Sequence, residues 1–210
     1  MNIGAVSNTY SYQGMGCEGT KNKNNNVAGD FKNSINNNGY TVTESSGLTL
    51  HYKKVAEDGS RCLSSWVDAR TGINTAVYKP ADFDENNPEY RVEIWDKNGN
   101  KTEQMVKISE VDPANATSAE MHAYSSYLTD SGKCKNAESS FLMSRSRIYD
   151  DNPDYDGLGK ANFMDLARDM MQMQYTVGNM QGYLQFKAFY DALVDSRDAF
   201  GMNTKSYAFV

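Results

Sequence analysis

Apolar and polar residues alternate through the first part of the chain after residue 47, a pattern typical of strands that bury one face. Leu48, Leu50 and Tyr52 alternate with polar residues in the first such segment. An Asp58-Gly59 pair then predicts a hairpin turn, and a second strand follows it. Segments of the same kind predict further strands over residues 73–79, 89–96 and 101–110.

Pairing across the Asp58-Gly59 turn predicts two distinct faces for the first hairpin. In this register Val55 lies opposite Cys62, and His51 lies opposite Trp66. The predicted core face carries Leu48, Leu50, Tyr52, Leu63 and Val67. The other face carries His51, Val55, Cys62, Ser64 and Trp66.

The turn over residues 96–100 can be assigned from the apolar pattern of the strands on either side. A two-residue Asn98-Gly99 loop would turn Val106 away from the apolar face of the preceding strand. A three-residue loop, with Gly99 in the left-handed conformation as a bulge, pairs Tyr90 with Val106. We therefore predict the bulged turn.

The apolar period changes from 2 to 3.6 after Pro113, which indicates helices. Residues 117–120 form a capping box that predicts a helix running to about Leu128. Met121, Tyr124 and Leu128 share one face of that helix. A weaker pattern over residues 136–149 is compatible with a second helix.

The C-terminal part of the chain has the pattern of two helices around Gly178. Asn162 is the predicted N-cap of the first, and Asn179 is a possible N-cap of the second. A single helix through Gly178 stays an alternative, since a glycine there costs only about 1 kcal/mol relative to alanine. The two apolar faces are predicted to carry Phe163, Leu166, Ala167, Met170 and Val177, and then Tyr183, Phe186, Tyr190, Leu193 and Val194.

Strands followed by helices predict an α+β protein, with an antiparallel five-stranded β-meander and C-terminal helices packed on it. Residues 46–210 are predicted to form one domain, with the sheet in 46–112 and the helices in 113–210. Residues 1–45 are rich in asparagine and poor in apolar side chains, so they cannot offset the entropy of ordering. We predict a flexible Asn-rich N-terminal tail there.

Charge and composition weaken several functional classes. The net charge is −6, which disfavours binding to the phosphate backbone of nucleic acids. No segment approaches the roughly 20 apolar residues of a membrane span, and no standard secretory signal is recognised at the start of the chain. We therefore expect no nucleic-acid partner, no membrane insertion, and either a cytoplasmic location or export without a standard signal.

Candidate chemistry is sparse. No phosphate-loop or zinc-protease pattern is present, so no catalytic residue and no cofactor is assigned. His51 and Cys62 share a predicted face, but their partners lie four residues apart on a strand, about 13 Å, which is too far for a catalytic dyad. His122 is interpreted as a partly exposed helix residue.

One acidic loop is a weak calcium candidate. Asn152, Asp154 and Asp156 occupy positions one, three and five of a calcium-binding loop, and Gly157 occupies position six. Position twelve, which requires a bidentate glutamate, is Phe163. A solvated acidic loop is therefore the favoured interpretation.

Aromatic and methionine side chains supply the remaining binding candidates. Trp66, His51 and Trp95 could form a stacking platform for a sugar or a partner on the second face of the sheet, unless a helix layer covers that face. The last two helices are rich in methionine, which fills cores and also forms adaptable protein-binding surfaces. Met171 and Met173 fall partly off the main apolar face, which leaves room for an exposed patch.

A resemblance appears within residues 77–128. Its marks are Val77-Tyr78-Lys79-Pro80, then Tyr90-Arg91-Val92, then Val111-Asp112-Pro113-Ala114-Asn115-Ala116 leading into Glu120-Met121. This stretch resembles uncharacterised proteins of clostridial gut bacteria. The resemblance implies a bacterial protein but no known activity, so it assigns no functional residue.

These observations favour a non-enzymatic interaction or structural protein with a protein partner, exported without a standard signal peptide or retained in the cell. Two alternatives from other classes stay open. One is a small-ligand or carbohydrate-binding module that uses the aromatic sheet face. The other is an enzyme whose paired carboxylates are brought together only by the fold.

Overall fold

The computed structural model describes residues 32–35, 41–45 and 48–199, with only the backbone for the first two ranges. Those residues form nine strands, five α-helices and a short 3-10 helix at Ile108–Glu110. The strands are β1 (Lys32–Ile35), β2 (Thr41–Ser45), β3 (Leu48–Tyr52), β4 (Arg61–Val67), β5 (Asn74–Lys79), β6 (Glu89–Trp95), β7 (Lys101–Lys107), β8 (Ala116–Thr117) and β9 (Lys160–Ala161). The helices are α1 (Ser118–Asp130), α2 (Ala137–Ser146), α3 (Ile148–Asp151), α4 (Phe163–Thr176) and α5 (Met180–Ala199).

The α+β class and the antiparallel sheet followed by helices are confirmed, but the five-stranded meander is corrected to four strands. β4, β5, β6 and β7 form the meander in chain order. β3, the predicted first strand, pairs instead with β2 in a separate three-stranded sheet. β1 and β2 fall within the range predicted as a flexible tail, and the rest of that range lies outside the described residues.

β3 lies against one face of the meander rather than along its edge. The backbone N–H of His51 donates to the side-chain oxygen of Asn74 at 2.8 Å, and that of Lys53 donates to the Tyr78 hydroxyl at 2.9 Å. A strand that joined the edge of the sheet would direct these groups to backbone carbonyls. The meander therefore has β3 on one face and helices on the other.

The predicted register of the first hairpin is wrong. Val55 pairs with Arg61 in a single isolated bridge, and no ladder continues from it. A bulge between Cys62 and Ser64 then shifts the register against β5 by one residue. Because one residue reverses the side on which every later side chain projects, Cys62 and Trp66 are buried on opposite faces. The five residues of the predicted core face are only half-buried.

The bulged turn before β7 is confirmed. Tyr90 pairs with Val106, and Gly99 has a φ of +81°. The N–H of Asp96 donates to the carbonyl of Asn100 at 3.0 Å, which closes a three-residue loop. Tyr90 and Val92 of β6 and Val106 of β7 consequently face the same core.

The predicted helix boundaries are confirmed at three caps. Thr117 and Glu120 form both hydrogen bonds of a capping box at the start of α1. The Asn162 side chain accepts the N–H of Asp165 at the start of α4. Gly178, with a φ of +73°, separates α4 from α5, so the alternative of one continuous helix is wrong.

The main core lies between the helix-side face of the meander and the helices. Strand residues such as Trp66, Val77 and Tyr90 pack there against the buried face of α1. α1 contacts β4, β5 and β6 on one side and α2 on the other. Among the described residues, no helix has the length and apolar character that crossing a membrane requires.

Candidate functional site

The structure divides the three predicted ligand-binding residues between the two faces of the meander. The His51 ring stacks on Trp95, with ring centroids 5.5 Å apart and planes 18° apart. Trp66 lies on the helix side, with the Arg145 guanidinium 4.4 Å from its ring centre. The exposed fractions of Trp66 and Trp95 are 8% and 5%, so neither indole presents an open face for a ligand.

The acidic loop after α3 is organised around its own backbone. One Asp156 carboxylate oxygen accepts the N–H groups of Leu158 and Gly159, at 2.8 and 2.9 Å, and these bonds lower the pKa of Asp156. The carbonyl of Asn152 accepts the N–H of Tyr155. Across residues 48–199, no three His, Cys, Asp or Glu side chains are grouped so that they could hold a metal ion. The calcium candidate combines Asn152 with Asp154 and Asp156, so it stays a prediction.

His122 is fully buried, which corrects the prediction of a partly exposed residue. Its exposed fraction is 1%. The physical reason is that α1 is enclosed between the meander and α2, so a side chain outside the helix's main apolar face still contacts protein. Small buried residues around it, Ala119, Ala123 and Ser126, were the sequence signal for close packing on several sides.

The hydrogen bonds around His122 fix its tautomer. The Trp66 indole N–H, which can only donate, lies 3.1 Å from Nδ1, so Nδ1 is the unprotonated acceptor. The Thr75 hydroxyl lies 2.8 Å from the same nitrogen and donates to it as well. The ring proton is therefore on Nε2 and donates to the Ser64 hydroxyl oxygen at 2.9 Å. Burial, together with the charge of Arg145, lowers the pKa of His122 to about 3.

This arrangement runs opposite to that of a nucleophilic serine–histidine pair. In catalysis the imidazole accepts the serine proton, whereas here the imidazole donates to Ser64. The Ser64 hydroxyl also lies beside the carboxylate of Glu138. Burial raises the pKa of Glu138, and the hydroxyls of Ser126 and Ser64 oppose that increase. The network therefore acts as a fixed link between β4, β5, α1 and α2.

A buried ion pair adjoins this network. Arg145 Nη1 lies 2.6 Å from Asp68 Oδ2, and both side chains are about 95% buried. Arg145 Nε donates to the Ser118 hydroxyl at 2.9 Å, and the Tyr149 hydroxyl donates to Asp68. Burial by itself would raise the pKa of Asp68, but Arg145 and these hydrogen bonds outweigh it and hold that pKa below its ordinary value. A buried pair of this kind is costly to break.

A pair of carboxylates lies on the β3 side of the meander, and the alternative of an enzyme with paired carboxylates can be compared with it. Glu93 and Glu103 lie directly opposite each other on β6 and β7, and Lys101 Nζ lies 3.3 and 2.5 Å from them. Burial raises the pKa of Glu93, while the Lys101 hydrogen bond lowers that of Glu103. Carboxylates with divergent pKa values are typical of acid–base sites. Glu93, however, is buried away from solvent, and of the two carboxylates only Glu103, with a side chain 41% exposed, lies at the surface.

Of the eight large apolar residues that are exposed in the described part of the chain, five lie where α4 meets α5. We define the α4–α5 tip as the exposed apolar residues Met173, Tyr175, Val177, Met180 and Leu184, whose exposed fractions run from 36% to 70%. The prediction that Val177 belongs to the buried face of its helix is wrong, because the helix ends there and Gly178 turns the chain. Of the two methionines predicted to lie off the main face, Met173 is exposed and Met171 is buried.

Hydrogen bonds within the chain hold the tip in one shape. The Asn179 side-chain amide donates to the Gln174 side-chain oxygen at 2.6 Å, and the Asn179 oxygen accepts the N–H of Gly182 at 3.1 Å. A Cβ on Gly182 would lie 2.5 Å from the Gln174 oxygen, so glycine is what allows this close approach. The rings of Tyr175 and Tyr183 pack with centroids 5.6 Å apart. The apolar side chains therefore stand on a preorganised support.

No family model, curated protein or solved structure matches this chain, so the resemblance to clostridial proteins stays a prediction and the function is argued from the site alone.

Proposed function

We propose that this protein is a non-enzymatic interaction protein that docks the apolar surface of another protein on its α4–α5 tip. The observation that carries the proposal is the concentration of five exposed large apolar side chains within twelve residues. Contiguous exposed apolar patches are typical of interaction sites, because leaving such surface in water is unfavourable.

The composition around the tip supports a protein partner. Residues 172–186 contain no charged side chain, although 23% of the whole chain is charged. The cores of protein interfaces are depleted of charged residues and enriched in tyrosine and methionine, and this segment has both. A charged ligand would find no complementary charge in this segment, whereas an uncharged protein surface with apolar side chains would find both apolar area and amide groups.

Preorganisation supports the same proposal. The Gln174–Asn179 bond and the Tyr175–Tyr183 contact fix the helix ends before any partner arrives. A surface that is already ordered loses less conformational entropy on binding than a flexible loop. The tip therefore combines apolar area with a low cost of association.

The histidine network supports a non-enzymatic function. His122, the fully buried histidine, is neutral and donates toward Ser64, so it does not activate that hydroxyl. The nearby charged pair, Asp68 and Arg145, neutralises itself. These groups serve the packing of the sheet against the helices.

The test is site-specific photo-cross-linking in the source organism. A photoreactive amino acid replaces Leu184 in the tip, and in a matched control it replaces Leu158, which is 47% exposed in a loop elsewhere. We expect a discrete protein adduct from position 184 and none from position 158. The adduct should disappear when Val177→Glu is added, because a charge would be buried at the contact.

Two results would contradict the proposal. Equal labelling from positions 158 and 184 would indicate contact through random collision. An adduct at 184 that survives Val177→Glu, in a variant whose circular dichroism matches the wild type, would show that the apolar tip does not determine the contact.

A further inference from the structure

We infer that the partner docked on the α4–α5 tip is a second copy of this chain, related by a two-fold axis. This inference rests on the proposed function and names the partner of the same surface. The charge, the area and the symmetry of the tip support it.

Charge favours contact at the tip over contact elsewhere. Each copy carries a net charge of −6, so two copies repel one another at most points of their surfaces. Because residues 172–186 are uncharged, placing two tips together brings no like charges into contact.

Two ion pairs flank the tip within their own helices, and Asp169 adds one exposed carboxylate on α4. Arg168 lies 2.6 Å from Asp165 on α4, and Lys187 lies 2.6 Å from Asp191 on α5. These pairs reduce the excess charge that a second copy would meet at the rim of the contact. A strongly acidic or strongly basic partner would find no complementary field there.

The area of the patch fits a small homodimer. A large side chain has on the order of 150–250 Å² of surface in all. The five residues of the tip expose between 36% and 70% of theirs, so the tip offers on the order of 500 Å² of apolar surface per copy. Two copies would bury on the order of 1,000 Å², which is about the minimum for a biological interface and lies in the range of weak, transient contacts. We therefore expect a reversible dimer with a micromolar Kd rather than an obligate one.

The fold of the tip suits a two-fold contact. An isologous interface brings the same surface together twice, so the patch must complement itself. The tip draws Met173 and Val177 from the end of α4 and Met180 and Leu184 from the start of α5. Flexible methionine side chains adapt to one another across such an interface, which relaxes the demand for exact shape.

The experiment is sedimentation velocity on the full chain over roughly a hundredfold range of concentration around a micromolar Kd. The test variant is Met180→Glu and the matched control is Met105→Glu, because both methionines are 52% exposed and Met105 lies on β7. Glutamate in the first turn of α5 is favourable for the helix, so the test variant should remain folded. Circular dichroism of both variants verifies this.

We expect the wild type and Met105→Glu to dimerise alike, and Met180→Glu to weaken the dimer at least about tenfold, since each copy would bury a charge. A wild type that stays monomeric throughout overturns the inference, and so does a dimer that Met180→Glu leaves unchanged. If the wild type is monomeric while position 184 still cross-links to a different protein, the inference fails and the proposed function stands. If the wild type is monomeric and position 184 gives no adduct, both the inference and the proposed function fail.

Discussion

The polar network beneath α1 and the apolar α4–α5 tip place their side chains in opposite environments. In the network, charged and polar groups such as Arg145, Asp68 and His122 lie out of water, each with hydrogen-bond partners from other elements. In the tip, apolar groups such as Val177 and Leu184 lie in water without a covering element.

The two regions therefore differ in function: the buried network stabilises the fold, whereas the exposed tip is available for binding another protein. A buried polar group is tolerated only with partners, so the network links strands and helices that are distant in sequence. An exposed apolar group contributes little to folding, so folding does not account for five such groups at one ordered hairpin. Substitutions should therefore affect stability in the network and association at the tip.

The largest effect is expected from Arg145→Met. It leaves the buried Asp68 carboxylate without its cation, which costs about 3–5 kcal/mol in unfolding free energy. Urea unfolding followed by circular dichroism measures the loss. Adding Asp68→Asn should recover part of it, because the uncompensated charge is then removed while an oxygen remains for the N–H groups of Arg70 and Thr71.

The matched control for this prediction is Lys187→Met, which breaks an exposed pair on α5. It should cost no more than about 0.3–0.5 kcal/mol. Similar losses in the two variants would mean that the buried ion pair contributes no more to stability than an exposed one.

A smaller, pH-dependent effect is expected from His122→Leu. At pH 7 the variant should lose about 2–3 kcal/mol, because the Trp66 and Thr75 donors lose their buried acceptor. The native histidine has a pKa of about 3, against an ordinary 6.5. Between these values the unfolded chain binds a proton that the native protein does not. The contribution of His122 to wild-type stability is therefore complete above pH 6.5. It falls by about 1.4 kcal/mol per unit as the pH decreases from there toward 3.

The leucine variant lacks this component, so its stability should approach that of the wild type as the pH falls from 7 to 5. Urea midpoints at several pH values measure the difference. In the control Thr75→Val, which keeps the histidine and the Trp66 bond, the difference from wild type should not change with pH. A constant difference for His122→Leu as well would rule out a neutral buried histidine.

The smallest effect on stability is expected at the tip. Leu184→Glu should change the unfolding free energy by no more than about 0.5 kcal/mol, because an exposed side chain leaves no cavity when replaced. Thermal unfolding at a concentration where the wild type is monomeric measures this, with Leu158→Glu as the control. A large loss for Leu184→Glu alone would mean that Leu184 supports the fold, and would sharpen the boundary of the binding surface.

Features decided by nearby residues were predictable from the sequence. The capping box at Thr117, the bulged turn at Gly99 and the helix break at Gly178 each depend on residues within a few positions. Local backbone chemistry decides such features, and tertiary packing left these three unchanged.

Features decided by distant residues were not predictable. β3 pairs with β2, which lies in an Asn-rich range with few apolar residues to indicate a strand. The bulge after Cys62 has no glycine to mark it, yet it decides which face Trp66 joins. His122 meets Trp66 across 56 residues of sequence, so no spacing rule connects them. The sequence predicted the tip only in part: it placed Met173 off the apolar face of its helix but placed Val177 on that face, and both are exposed.

The placement of the two tryptophans gives each layer of the molecule its own fluorescent reporter. Trp66 senses the guanidinium and imidazole on the helix side, whereas Trp95 senses the His51 ring that β3 holds against it. Separation of β3 from the meander would change the emission of Trp95 and leave that of Trp66 as it was. Tryptophan fluorescence followed during unfolding can thus distinguish one cooperative transition from a stepwise loss of layers.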